Sequence, residues 1–127
     1  FWGLESDFGR LNTPASTSRS VIRSVTTLAY DCRRAEFFRR QLIDALKVVE
    51  RGDYTAQTFT GAWAGEIGAL QFTPSDYYNY AVDFDGDGRV DVKNSIPDTL
   101  ATAANFLKSL GWKRGQPFIR EVRVPSE

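Results

Sequence analysis

From Val21 to Val49, apolar side chains recur at steps of three and four: Val21, Val25, Leu28, Cys32, Ala35, Phe38, Leu42, Ala45, Leu46 and Val49. That spacing keeps one side of an α-helix apolar, whereas a strand would need alternation. Asp31 can cap a new helix within the run, so the pattern suits one helix or two, ending at Gly52. A second stripe, Leu100, Ala103, Ala104, Leu107 and Leu110, opens at Pro97 and Asp98 and stops at Gly111. Pro74 stands at the favoured first position of a shorter helix through Tyr77, Tyr78 and Tyr80. Phe1 to Phe8 reads as the tail of a helix, closed by Gly9. These stripes predict a mainly α fold with at most a small β element. The connecting segments are a polar loop over 11–19, glycine-punctuated turns over 53–73, an acidic loop over 83–91, and a strand over Phe118–Val124 with no partner in view.

A chain of 127 residues suits one domain, 1–127, with a core of its own. It opens without an initiator methionine and closes on an unpaired strand, which reads as a piece truncated at both ends. Sixteen basic residues balance sixteen acidic ones, so no net field steers the chain toward nucleic acid or an anionic membrane. There is no histidine and only one cysteine, Cys32. Ser-His-Asp triads, Cys-His pairs, HExxH zinc sites and an internal disulfide are thereby excluded. Proton transfer falls to Asp, Glu, Tyr, Lys or the single thiol. No apolar run approaches the roughly 20 residues of a membrane span.

The sharpest local motif is Asp83-Phe-Asp-Gly-Asp-Gly-Arg-Val-Asp. Carboxylates at positions 1, 3 and 5 with glycine at 6 match the first half of an EF-hand calcium loop. Asp83, Asp85 and Asp87 would converge on one hard cation, and Arg89 would add its backbone carbonyl. Position 12 is Asn94 rather than a bidentate glutamate, and Asp98 could close the site instead. The plainer reading is a solvated Asp-Gly turn.

A glutamate in an amphipathic helix is ordinarily a solvated surface charge. Glu5 differs in its surroundings, because Phe1, Trp2, Leu4 and Phe8 lie within about a turn and the helix ends at Gly9. An apolar wall and a helix C-terminus both disfavour a carboxylate, the environment that a general acid near neutral pH requires.

Trp2-Gly-Leu-Glu-Ser-Asp-Phe-Gly resembles the catalytic helix end of the membrane-bound lytic murein transglycosylase B family. Leu28-Ala-Tyr-Asp, Arg33-Arg-Ala-Glu-Phe-Phe, Gly61-Ala-Trp-Ala-Gly-Glu-Ile-Gly-Ala-Leu-Gln-Phe-Thr-Pro-Ser and Tyr80-Ala-Val-Asp-Phe-Asp-Gly-Asp-Gly follow in that family's order, as do Ala104-Asn-Phe-Leu and Gly111-Trp. The resemblance implies a lysozyme-like helical core with a structural Ca²⁺ held in the acidic loop and no organic cofactor. It implies Glu5 as the single general acid/base and Gln71 as a sugar-binding amide. Phe37, Tyr77, Tyr80 and Phe106 would line the glycan groove, although core packing is the alternative for each aromatic ring. Ala62 stands where many relatives have serine, and Glu66 where a small residue is common. The implied activity cleaves the β-1,4 bond between N-acetylmuramic acid and N-acetylglucosamine, leaving a 1,6-anhydromuramic acid end. Peptidoglycan would be the partner of a monomer in the periplasm or cell envelope of a bacterium. A hydrolytic muramidase and a calcium-stiffened, non-catalytic peptidoglycan-binding module are the alternatives.

Overall fold

The computed structural model describes residues 2–11, 14–117, 119 and 121–123, with backbone alone at 14 and 15. In chain order the elements are α1 (Trp2–Ser6), α2 (Pro14–Thr17), β1 (Arg19–Ser20), α3 (Val21–Tyr30), α4 (Ala35–Arg51), β2 (Thr60–Gly61), α5 (Pro74–Tyr80) and α6 (Ile96–Ser109). The fold is mainly helical, as the periodicity predicts.

The long apolar run divides into α3 and α4. Ser20 caps α3 by accepting the Arg23 N–H. Asp31 does not start the next helix, correcting that expectation: its own N–H donates to Thr27 O at 3.1 Å and closes α3. Its carboxylate accepts the Arg33 N–H at 3.2 Å inside the turn. Arg34, left-handed at φ 62°, precedes α4, which ends at Gly52 as expected. Val21, Val25 and Ala29 of α3 share a core with Phe38, Ala45 and Val48 of α4. Phe59, Ile67, Leu70, Phe72, Tyr77 and Val92 complete it, each side chain worth about 1.5–3 kcal/mol when fully buried.

The glycine-rich stretch lies against this core at close range. A Cβ on Gly65 would come within 2.6 Å of Val25 Cγ1, and one on Gly68 within 2.2 Å of the Val92 carbonyl oxygen. Only glycine lets these turns approach so closely at positive φ. Thr73 caps α5 in a capping box with Asp76, with Pro74 in its first turn. Gln41 of α4 is buried; its amide donates to Ser75 Oγ at 3.0 Å and accepts the Ser75 N–H at 3.0 Å, fixing α5 on α4.

Helix α6 turns a polar face inward. Leu100, Leu107 and Leu110 of its apolar stripe are 45%, 48% and 69% exposed, and Asp98, Thr99 and Thr102 are buried instead. The irregular segment 81–95 leaves backbone groups that no ladder satisfies, and the polar face of α6 meets them. Thr102 Oγ1 accepts the Val82 N–H at 3.0 Å, and Thr99 Oγ1 donates to the Val92 carbonyl at 3.0 Å. Buried backbone groups must be paired, and that requirement outweighs burying the leucines.

The β element is also placed elsewhere. Arg19, the last residue of the expected loop, and Ser20 pair antiparallel with Gly61 and Thr60. Of the strand expected over Phe118–Val124, residues 119 and 121–123 form no strand, and 118, 120 and 124 lie outside the described residues. No described helix is long and apolar enough to cross a membrane.

Candidate active site and cation loop

Glu5 sits in the last turn of α1, with its side chain exposed. The helix ends abruptly because Ser6 gathers the chain. Its carbonyl accepts the N–H groups of Gly9 and Leu11 at 3.0 Å each, and its buried hydroxyl donates to Trp2 O at 3.2 Å while accepting the Gly9 N–H at 3.0 Å. Asp7 and Phe8 turn left-handed, and Phe8 folds back edge-to-face on Trp2 with ring centroids 5.5 Å apart. The apolar enclosure expected around Glu5 is therefore not made by the described residues: Leu4 is 85% and Phe8 64% exposed, and Phe1 lies outside them. Beside α1 lies a cavity of about 350 Å³ whose lining includes Trp2, Phe8, Arg10, Ala69, Lys93 and Leu100, with neither Glu5 nor Gln71.

Gln71 occupies a tight turn closed by Ile67 and Phe72, whose N–H groups and carbonyls exchange bonds of 2.8 and 3.0 Å. Its φ of 54° is left-handed, a costly conformation for a residue with a Cβ. Its amide donates to Gly68 O at 2.9 Å, so the side chain is tied to its own turn. Among the described residues no hydrogen bond joins Gln71 to Glu5. Glu66, also in this stretch, accepts the Ala64 N–H at 3.2 Å.

Tyr80 and Phe106, both half-buried, meet with ring centroids 5.3 Å apart, and Asn105 of α6 donates to the Tyr80 carbonyl at 3.0 Å. Phe37 is also half-buried, beneath the Arg34 guanidinium at 4.5 Å and edge-to-face with Phe38. Tyr77 is different. It is fully buried against Tyr54, and its hydroxyl donates to the Val90 carbonyl at 3.0 Å, which makes it a core residue. Burial pushes its phenol far above the usual tyrosine range.

The acidic loop brings its three alternate aspartates together. Asp83, Asp85 and Asp87 each place a carboxylate oxygen within 4.8 Å of the others. Asp83 accepts the N–H groups of Gly86 and Gly88 at 2.7 and 2.9 Å, and Asp87 that of Arg89 at 2.8 Å. Three convergent carboxylates are a donor set suited to a hard cation. Asp98, the other expected ligand, lies outside that cluster. Its oxygens accept the backbone N–H groups of Phe84 and Asp91, both at 2.9 Å, so it pins the two ends of the loop instead. Burial would raise its carboxyl, but the backbone donors of Asp91, Phe84 and Asp85 and the Ser95 hydroxyl prevail and hold it below the usual carboxylate range. Thr99 and Thr102, which the sequence reading passed over, share this anchoring task. Their signal was a polar stripe opposite the leucine stripe of one helix.

Residues 1–127 match the transglycosylase SLT domain family. The chain is 32% identical over 114 residues to membrane-bound lytic murein transglycosylase B of Escherichia coli strain K12, covering 89% of this chain and 30% of that protein. It is similar to SltB3 of Pseudomonas aeruginosa, at 48% identity and a TM-score of 0.80 over 98% of this chain and 32% of that one. That protein has been solved in complex with NAG-NAM-pentapeptide and with NAG-anhNAM-pentapeptide. The Escherichia coli lytic transglycosylase Slt35 in complex with calcium matches at 32% identity and a TM-score of 0.77, over 91% of this chain and 36% of that one. The chain thus spans about a third of the length of these relatives, and the likeness shows the expected lysozyme-like fold.

Proposed function

Because this chain belongs to the transglycosylase SLT domain family, we propose that it is the catalytic part of a peptidoglycan lytic transglycosylase with Glu5 as its acid/base. What supports the reading is the family match over residues 1–127 together with Glu5 in the last turn of a helix whose end is locked by Ser6. Glycosidases that use water need two carboxylates, roughly 5 to 9.5 Å apart. A transglycosylase needs one. Glu5 gives its proton to the oxygen between N-acetylmuramic acid and N-acetylglucosamine, and that bond breaks. The oxocarbenium charge is met by the substrate's own N-acetyl group. The Glu5 carboxylate then takes the proton of the muramic acid C6 hydroxyl, whose oxygen bonds to C1 and closes the 1,6-anhydro ring. No water is consumed, and Glu5 ends protonated as it began.

Gln71, Tyr80, Phe106 and Phe37 are the proposed sugar contacts. Tyr77 is left out, since a fully buried ring has no face to offer. Asp83, Asp85 and Asp87, with the Arg89 carbonyl, are proposed to hold one Ca²⁺ that stiffens the loop and takes no part in proton transfer. The compartment that fits this substrate is the cell envelope of a bacterium. Mass spectrometry of products released from peptidoglycan by the full-length protein tests the reaction. Anhydromuramyl ends, one water lighter than hydrolysis products, are expected; ordinary reducing ends would establish a hydrolytic muramidase.

A further inference from the structure

A groove of about 460 Å³, whose lining includes none of the residues assigned to cleavage, runs between the start of α3 and the turn after β2. Arg19, Arg23, Ser20, Thr27, Leu28 and Trp63 are among its lining residues. Two kinds of chemistry meet there. Trp63 is 64% exposed, a broad apolar ring turned to solvent. Arg19 and Arg23 are also exposed, and among the described residues neither lies within ion-pair distance of a carboxylate.

The groove is held by the fold. Arg19 pairs with Gly61 in the small sheet, two positions before Trp63. The Gly65 backbone then packs so closely on α3 that a Cβ there would stand 2.6 Å from Val25 Cγ1, while Gly61 is closed in by the Glu66 carbonyl oxygen, 2.2 Å from where its Cβ would be. The helix end is not the source of the positive field. Val21 N–H is already given to Phe59 O at 3.0 Å and Arg23 N–H to Ser20 Oγ at 3.3 Å, so the guanidinium groups carry the attraction.

We propose that this groove is a second binding site for an acidic glycan strand, with a pyranose ring stacked on Trp63 and peptide-stem carboxylates paired with Arg19 and Arg23. A neutral glycan would use only the indole, and a small anion only the arginines. A carboxylate-bearing amino-sugar strand uses both, because guanidinium pairs with carboxylate in two parallel bonds while an aromatic face takes the apolar side of a sugar. The ligand class rests on the proposed function; the site does not include Glu5. Its effect would be to keep the enzyme on an insoluble wall between cuts.

The test uses the full-length Glu5→Gln protein, which holds ligand without consuming it. The Trp63 indole N–H resonance, assigned by comparison with Trp63→Phe, is followed while NAG-NAM-pentapeptide or chitotetraose is added. A saturable shift is expected with the pentapeptide, with affinity at least ~10-fold weaker in Arg19→Ala/Arg23→Ala and ~10-fold weaker for the uncharged chitotetraose. An unmoved Trp63 resonance, an affinity indifferent to the arginines, or equal binding of chitotetraose would each overturn the site. Wild-type protein that yields anhydro products while Trp63 stays silent removes this groove and keeps the cleavage reading. A responsive Trp63 in a protein that yields no such product does the reverse.

Discussion

Asp98 Oδ2 accepts the Asp91 backbone N–H at 2.9 Å, reaching back from the first turn of α6 across the end of the acidic loop. Its other oxygen takes the Phe84 N–H at the loop's start. One buried carboxylate therefore ties the irregular segment to the helix, and the three converging aspartates stand on that tie. Asp98→Asn keeps the shape but turns an amide NH₂ toward a backbone donor. Loss of a charge-assisted bond and one unsatisfied N–H should cost about 2–3 kcal/mol, measured by urea or thermal unfolding.

Calcium should raise the melting temperature, and a chelator should reverse the rise, because a ligand of the folded state stabilises it by mass action. At a hundredfold excess over Kd the gain is about 2.7 kcal/mol. Asp83→Asn or Asp87→Asn should abolish the calcium response while shifting the metal-free melt far less. A melt unchanged at millimolar calcium would refute the loop as a cation site.

Glu5→Gln in the full-length protein should lower glycan cleavage by ~10²–10⁴-fold, the usual worth of general acid–base help. Because Glu5 is exposed, the melting curve should stay within about 0.5 kcal/mol of the wild type. Retention of normal turnover would move the catalytic role to another carboxylate.

Gln71→Gly separates function from stability. Glycine relieves a left-handed strain of about 1–2 kcal/mol, against the loss of the bond to Gly68 O, worth about 0.5–1.5 kcal/mol. Net stability should therefore change by less than about 1 kcal/mol, while sugar affinity falls measurably in calorimetry. Unaltered affinity would remove Gln71 from the proposed sugar contacts.

Gly68→Ala should be among the most damaging single changes. The new Cβ would stand 2.2 Å from the Val92 carbonyl oxygen at φ 70°. Strained backbone and overpacking together should cost more than about 3 kcal/mol, read as a large fall in the unfolding midpoint.

The sequence alone determined the long helices α3, α4 and α6, the start of α5, and the convergence of Asp83, Asp85 and Asp87. Each is local: steps of three and four around Val25 and Ala45, Pro74 behind a capping Thr73, glycine at 52 and 111, aspartates at alternate positions of one short loop. The order of its motifs along the chain also carries the family resemblance. Tertiary structure decided which face each element turned inward. The spacing of the α6 stripe shows an apolar face but not where it points: Asp98, Thr99 and Thr102 are buried, because backbone groups of residues 81–95 that no ladder pairs lie on that side. Tyr77 and Tyr80 lie in the same short helix, and only packing made one a core ring and left the other half-buried beside Phe106. The pairing of Arg19 with Gly61, which brings two arginines to Trp63, joins residues far apart in the chain. Local periodicity reports what a residue's neighbours in sequence can do, but burial and pairing depend on what arrives from elsewhere, and only the folded chain settles that.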